Sequence, residues 1–136
     1  MTLKDTAFAF FHACETGKGW AECAQYCAPD AVFEAQSDAL ADIKTAEGYC
    51  AWMAGMFGPM PDASYALTGF AVDEDRQTVL ASAVFHGTNT GEGPVPPTGQ
   101  KTASDYVYVM RFSDNKLVHM TKVWNDGWAL RELGWA

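Results

Sequence analysis

An α+β fold, with N-terminal helices set against one face of an antiparallel sheet, is what this sequence predicts. Three observations predict it. Apolar residues recur at helical spacing through the first third of the chain, the pattern switches to period two after Ala63, and short turn signals separate the period-two runs. Curvature of such a sheet around its helices makes a cone with an apolar pocket inside.

Leu3, Ala7, Phe10, Phe11 and Cys14 form the stripe of a first helix; Thr2 and Asp5 offer a capping box at its start, and Gly17 and Gly19 end it. Trp20, Cys23, Ala24 and Cys27 repeat the spacing in a shorter second helix, which Pro29 closes. AVFEAQ, residues 31–36, reads as a short strand. Thr45 caps a third helix with the stripe Tyr49, Trp52, Met53, Met56 and Phe57, stopped by Gly58-Pro59. Strands are predicted over Ser64–Asp73, Thr78–Asn89, Thr102–Phe112 and Lys116–Asn125, with turns at 73–76 and 113–115. Neighbours in sequence joined by short turns pair as an antiparallel meander. GTNTGEGPVPPTGQ, residues 87–100, is the one long irregular segment, of a length expected to be functional or mobile. GWALRELGW, residues 127–135, is expected to be a short helix over one edge. With no repeat or linker visible, residues 1–136 are expected to form one domain.

Composition narrows the function. At 49% hydrophobic and 19% charged residues, the chain has the makings of a packed core rather than a disordered segment. Seventeen acidic against nine basic residues give a net charge of -8, which removes the electrostatic drive for binding a phosphate backbone. No apolar run reaches the ~20 residues of a membrane span, and the opening MTLKDTAFAFF lacks the basic cluster of a secretory signal. A soluble, cytoplasmic chain without nucleic-acid or membrane partners is therefore expected. Cys14, Cys23, Cys27 and Cys50 all fall in segments read as helical. Cys23 and Cys27, four apart, suit a helix face better than a zinc knuckle, and His12, His86 and His119 show no ligand spacing. Four reduced thiols, no metal site and no cofactor are the expectation.

The helix order, the MPDA turn after the third helix, FHGTNTGE with its PPTGQ continuation, and the closing RFSDNKLVHMTKVWND and LRELG together carry a resemblance over almost the whole chain. They resemble the SnoaL-like (polyketide cyclase-like) proteins of the nuclear transport factor 2-like superfamily. That superfamily shares a cystatin-like α+β cone and includes ketosteroid isomerase and limonene epoxide hydrolase. The resemblance implies a cone-shaped roll and an internal ligand pocket. It also allows a test residue by residue. Ala35 stands where the isomerase carries its general-base aspartate, and Tyr108 where it carries its oxyanion-hole aspartate. Lys122 matches the second aspartate of the epoxide hydrolase. Asn125 matches the acid/base aspartate of SnoaL cyclases, with Asp126 beside it.

Strand alternation divides the last two strands into faces. Tyr106, Tyr108, Met110 and Phe112 share one face with Met120, Lys122, Trp124 and Asp126; Val107, Val109 and Val123 lie on the other. The bulky face is assigned to the pocket, by its side chains and by resemblance. The valine face is assigned to a homodimer contact. The candidate catalytic residues are Tyr108 as an oxyanion donor, with Tyr106 as its alternative, and Asp126 or His86 as acid/base. The candidate ligand contacts are Tyr106, Lys122, Trp124, Met120, Met110, Trp52 and Met56. Each has a plainer reading: core tyrosines with satisfied hydroxyls, Met and Trp as filler, His86 as a structural hydrogen-bonder, Asp126 as a solvated carboxylate. Lys122 between Met120 and Trp124 fits a plain reading least, and a charged, ligand-orienting role is expected of it. The function expected is binding of a small, largely apolar, carbonyl-bearing molecule. Proton transfer at an enolisable carbon, as in a cyclase or isomerase, is the chemistry that would follow, and a non-catalytic ligand-binding or dimerising domain is the alternative.

Overall fold

The computed structural model describes residues 1–136 as four α-helices packed on a five-stranded mixed sheet. Helix α1 (Leu3–Glu15) opens with the expected capping box: Thr2 Oγ1 accepts from the Asp5 amide, and Asp5 Oδ2 accepts from the Thr2 amide, both at 3.1 Å. It stops ahead of Gly17, whose φ of +75° lies in the left-handed region. The second helix is shorter than its spacing predicts. Helix α2 (Trp20–Cys23) is one turn followed by a 3-10 turn at Ala24–Tyr26, and Cys27 already opens strand β1 (Cys27–Ala35). Pro29 lies inside that strand instead of closing a helix. It is tolerated because β1 is an edge strand whose register is broken between Cys27 and Val32.

Helix α3 (Ala46–Met56) starts at Thr45, whose hydroxyl accepts from the Gly48 amide at 3.0 Å. The meander follows as β2 (Ser64–Asp73), β3 (Thr78–Thr88), β4 (Lys101–Ser113) and β5 (Lys116–Trp124), each antiparallel to the next. Helix α4 (Asp126–Leu133) is capped by Asn125, which accepts from the Trp128 amide at 3.1 Å, and ends at Gly134 in the left-handed conformation. The sheet order is β1-β5-β4-β3-β2. Its fifth member departs from the purely antiparallel expectation: β1 lies parallel to β5, with Phe33 opposite Met120 and Ala35 opposite Lys122. That pairing joins segments about 90 residues apart, which no local pattern encodes.

The facial assignment of the last strands holds. Across β4 and β5, Tyr106 faces Trp124, Tyr108 faces Lys122 and Met110 faces Met120, and all but the half-buried Trp124 are buried. Val107 faces Val123 on the outside, where Val123 is 57% exposed. The helices cover the inner face, and one cluster joins Phe10, Phe11 and Cys14 of α1 to Tyr49, Cys50 and Met53 of α3 and the inward residues of the sheet. No helix is long and apolar enough to cross a membrane.

The irregular segment after β3 is pinned by Asn89, which is fully buried. Its Nδ2 donates to Pro59 O at 3.1 Å, while its Oδ1 accepts from the Thr98 amide and from Trp135 Nε1, both at 3.0 Å. Its main chain bonds Gln100 and Gly99. The GTNTGE and PPTG motifs are thus two halves of one hydrogen-bonded unit. Gly91 is required there, because a Cβ on it would stand 2.0 Å from Gly58 O. Replacing Asn89 by Ala orphans buried donors and acceptors, and should cost about 2 kcal/mol in a urea unfolding experiment. A loss below ~0.5 kcal/mol would show that the segment is held by other contacts.

Candidate functional site

Between α3, the inner face of the sheet and α4 lies a cavity of about 210 Å³. Trp52, Met53 and Met56 come from α3, Lys122 and Trp124 from β5, and Leu130, Leu133 and Trp135 from α4 and the residues after it. Met60, Phe85 and Pro94 complete an apolar wall in which Lys122 is the one ionisable side chain. Strand alternation points Lys122 inward, and only 5% of it is exposed. Its Nζ sits among four rings, 4.5 Å from the centroid of Trp124, 5.1 Å from Tyr106, 5.2 Å from Tyr49 and 5.5 Å from Trp52. No carboxylate lies within ion-pair distance of it. Burial brings its pKa down to about 8, although the charge of Glu15 pulls the other way.

Glu15 is the residue that sequence reasoning missed. It lies 12 positions after Leu3, so the apolar stripe of α1 runs straight into it, and it is 2% exposed. A carboxyl on that stripe needs partners, and it has two: the hydroxyls of Tyr106 and Tyr108 each donate to one of its oxygens. The Tyr49 hydroxyl lies 3.2 Å from that of Tyr108, and the Phe33 ring stacks on Tyr49 at 4.4 Å. Burial raises the Glu15 pKa, and the Lys122 charge and the two tyrosines oppose the rise. Burial likewise raises the pKa of Tyr106 and Tyr108, so both stay neutral donors. A network of Glu15, Tyr106, Tyr108 and Tyr49 therefore stands behind Lys122.

Of the candidate ligand contacts, Lys122, Trp124, Trp52 and Met56 line the cavity together. Tyr106 contributes its ring face to Lys122, whereas Met110 and Met120 are core residues outside the lining. The three candidate catalytic residues do not converge. Tyr108 is committed to Glu15. His86 is exposed on β3. Asp126 accepts from the Ala39 amide at 2.9 Å, joining the start of α4 to the 3-10 turn at Asp38–Leu40; burial works against its ionisation, but the amides of Ala39 and Gly127 outweigh it and hold the pKa below the ordinary range. Ala35, where the isomerase resemblance would place a base, lies beside Lys122 across the parallel pair and offers no carboxylate.

The four cysteines are all buried thiols. The spacing paired Cys23 with Cys27, but Cys27 belongs to β1, and it is Cys14, Cys23 and Cys50 whose sulfurs lie within 4.8 Å of one another, with Cys14 and Cys50 at 3.8 Å. All four should titrate with a thiol reagent once the chain is denatured and react slowly before that. Fewer than four titratable thiols would contradict the reduced core.

Residues 7–120 match the SnoaL-like domain family, and the chain belongs to it. No curated protein matches the chain. Among solved structures it is similar to IdmH of Streptomyces antibioticus, a candidate polyketide cyclase, at 23% identity and a TM-score of 0.78 over 98% of this chain and 99% of that one. AclR of Streptomyces galilaeus, a candidate hydroxylase, aligns at 23% identity and a TM-score of 0.77, covering 98% and 85%. A protein of ketosteroid isomerase-like fold from Catenulispora acidiphila, crystallised with trimethylamine, aligns at 15% identity and a TM-score of 0.71, covering 96% and 93%. At these identities the likeness is one of fold.

Proposed function

We propose that the chain binds a small, largely apolar, carbonyl-bearing molecule in the cavity between α3 and α4, with Lys122 directed at the carbonyl oxygen. The observation that carries this reading is one unpaired, buried amine in a wall whose only other polar side chain, Thr102, spends its hydroxyl on Glu132. A ligand oxygen supplies the partner that the chain withholds, and the walls bury the rest of the molecule. An ammonium hydrogen-bonded to a carbonyl also stabilises the negative charge that develops there on enolisation, which fits the cyclase and isomerase chemistry of the superfamily. A second reading, ligand binding without catalysis, is favoured by a specific absence: no second ionisable group shares the lining with Lys122. Fluorescence titration of the tryptophans, with Trp52 and Trp124 in the wall, tests the binding step. Acetophenone should bind at least about tenfold more tightly than ethylbenzene, the value of one charged hydrogen bond. Equal affinities would refute the role of Lys122.

We also propose a homodimer as the working form, which the outer face of the sheet supports, in a cytoplasmic setting, which the four free thiols fit. Leu80 and Val123 stand exposed there beside Val107 and Val109, forming an apolar stripe that a second copy would remove from water. Sedimentation at micromolar concentration should find a dimer, and Val123→Glu should dissociate it. A wild-type monomer would end this part of the proposal.

A further inference from the structure

The geometry points to Lys122 as a covalent carrier, condensing with an aldehyde or ketone in the cavity to form an iminium. This rests on the carbonyl-ligand reading above and specifies what the ligand's carbonyl does. The amine has no carboxylate beside it, so its lone pair, once the proton leaves, is free for a carbon. It faces a largely apolar chamber in which the one other polar side chain, Thr102, is a weak nucleophile whose hydroxyl donates to Glu132.

The step balances. The ammonium gives up a proton to solvent water, and the amine attacks the carbonyl carbon: the N–C bond forms as the C–O π pair moves to oxygen. A proton passes from nitrogen to that oxygen, and the proton first released joins it. The C–O bond then breaks with loss of water, and the nitrogen lone pair closes the C=N bond. Ammonium plus carbonyl has become iminium plus water, with one positive charge before and after. The rings of Trp124, Tyr106, Tyr49 and Trp52 that hold the ammonium therefore hold the iminium as well, without a new counter-ion. Burial supplies the nucleophile. With a pKa of about 8, roughly half of Lys122 is neutral amine at pH 8, against well under 1% of an exposed lysine.

The test is benzaldehyde with sodium cyanoborohydride at pH 8, followed by peptide mapping. One benzyl group should appear on Lys122 at least about tenfold faster than on the exposed Lys4, Lys18, Lys44, Lys101 and Lys116. Excess benzyl alcohol, which occupies the same space without forming an imine, should slow it by a similar factor. It should leave labelling of the Met1 amine unchanged. Lys122→Arg keeps the cation and should lose the adduct; the protection experiment on the wild-type chain stands without that variant. Saturable tryptophan quenching by benzaldehyde with no adduct on Lys122 overturns the iminium and leaves the binding proposal intact. Neither quenching nor adduct overturns both. An adduct on Lys122 that benzyl alcohol does not slow is ordinary amine reactivity and overturns the iminium proposal.

Discussion

Lys122→Met should bind acetophenone about tenfold to a hundredfold more weakly than the wild-type chain, while folding more stably at neutral pH. The first effect is the loss of a charged hydrogen bond, about 1.5–3 kcal/mol. The second follows from linkage. The folded chain holds the Lys122 proton with a pKa of about 8, against 10.5 for a lysine in water. The unfolded chain thus binds more protons between those values, and stability rises with pH across that window. Below pH ~8 the full cost of burying the charge is present, about 3 kcal/mol from the pKa difference. Met keeps the volume and removes that cost, but also removes the attraction to the rings, so a net gain of ~1–2 kcal/mol is expected. Urea titrations at pH 7 and pH 10.5 check both parts. The advantage of the variant should shrink at the higher pH, and an equal difference at both would show that Lys122 is not held as a buried cation.

Glu15→Ala should be the most destabilising change in the site, at about 3–4 kcal/mol. It strands the hydroxyls of Tyr106 and Tyr108 in the core and leaves a cavity beside Cys14. Glu15→Gln keeps the volume and one accepted hydrogen bond, while its Nε2 must donate to the other tyrosine hydroxyl, which turns to accept; it should cost about 1 kcal/mol near pH 5, less than the Ala variant. The two variants separate packing from charge. The folded-state pKa of Glu15 is raised above 4.5, so its proton stabilises the fold fully below pH 4.5, and that contribution is lost as pH rises through the folded value. Gln cannot titrate. Relative to the wild-type chain, the Gln variant should gain stability as pH rises from 4.5 toward neutrality. Removing the negative charge should also lower the pKa of Lys122, because Glu15 is what pulls that pKa up. A Glu15→Gln variant whose stability tracks that of the wild-type chain at every pH would show that the carboxyl does not titrate in the fold.

Much of this architecture was written in local pattern. The meander over residues 64–124 follows from period-two alternation, and the same alternation sets Lys122 and Trp124 on the inner face. The α3 stripe likewise carries Trp52 and Met56 to the cavity. Glu15 was legible in principle, since a carboxyl in register with Leu3, Ala7 and Phe11 must be buried or end the helix, but reading it required following the stripe one residue past Cys14. Other features have no local signature. The parallel β1–β5 pair, the rim built from Pro94, Leu130 and Trp135, and the meeting of Cys14, Cys23 and Cys50 all arise where distant segments pack. Asp126 shows the opposite failure: its residue type suits catalysis, but the backbone of Ala39 takes it up. The GTNTGE and PPTG motifs, which marked the family, serve through Asn89 to hold a loop.

The central claim is that Lys122 presents a positive charge to a carbonyl oxygen inside an apolar chamber. Infrared difference spectroscopy of acetophenone labelled with carbon-13 at the carbonyl tests it on the bond concerned. Bound to the wild-type chain at pH 6, where Lys122 keeps its proton and does not condense with the ketone, the labelled carbonyl stretch should fall below its position in an apolar solvent, because an ammonium donor weakens the C=O bond. Bound to Lys122→Met, it should return to the apolar-solvent position. The same frequency in both proteins would contradict the account.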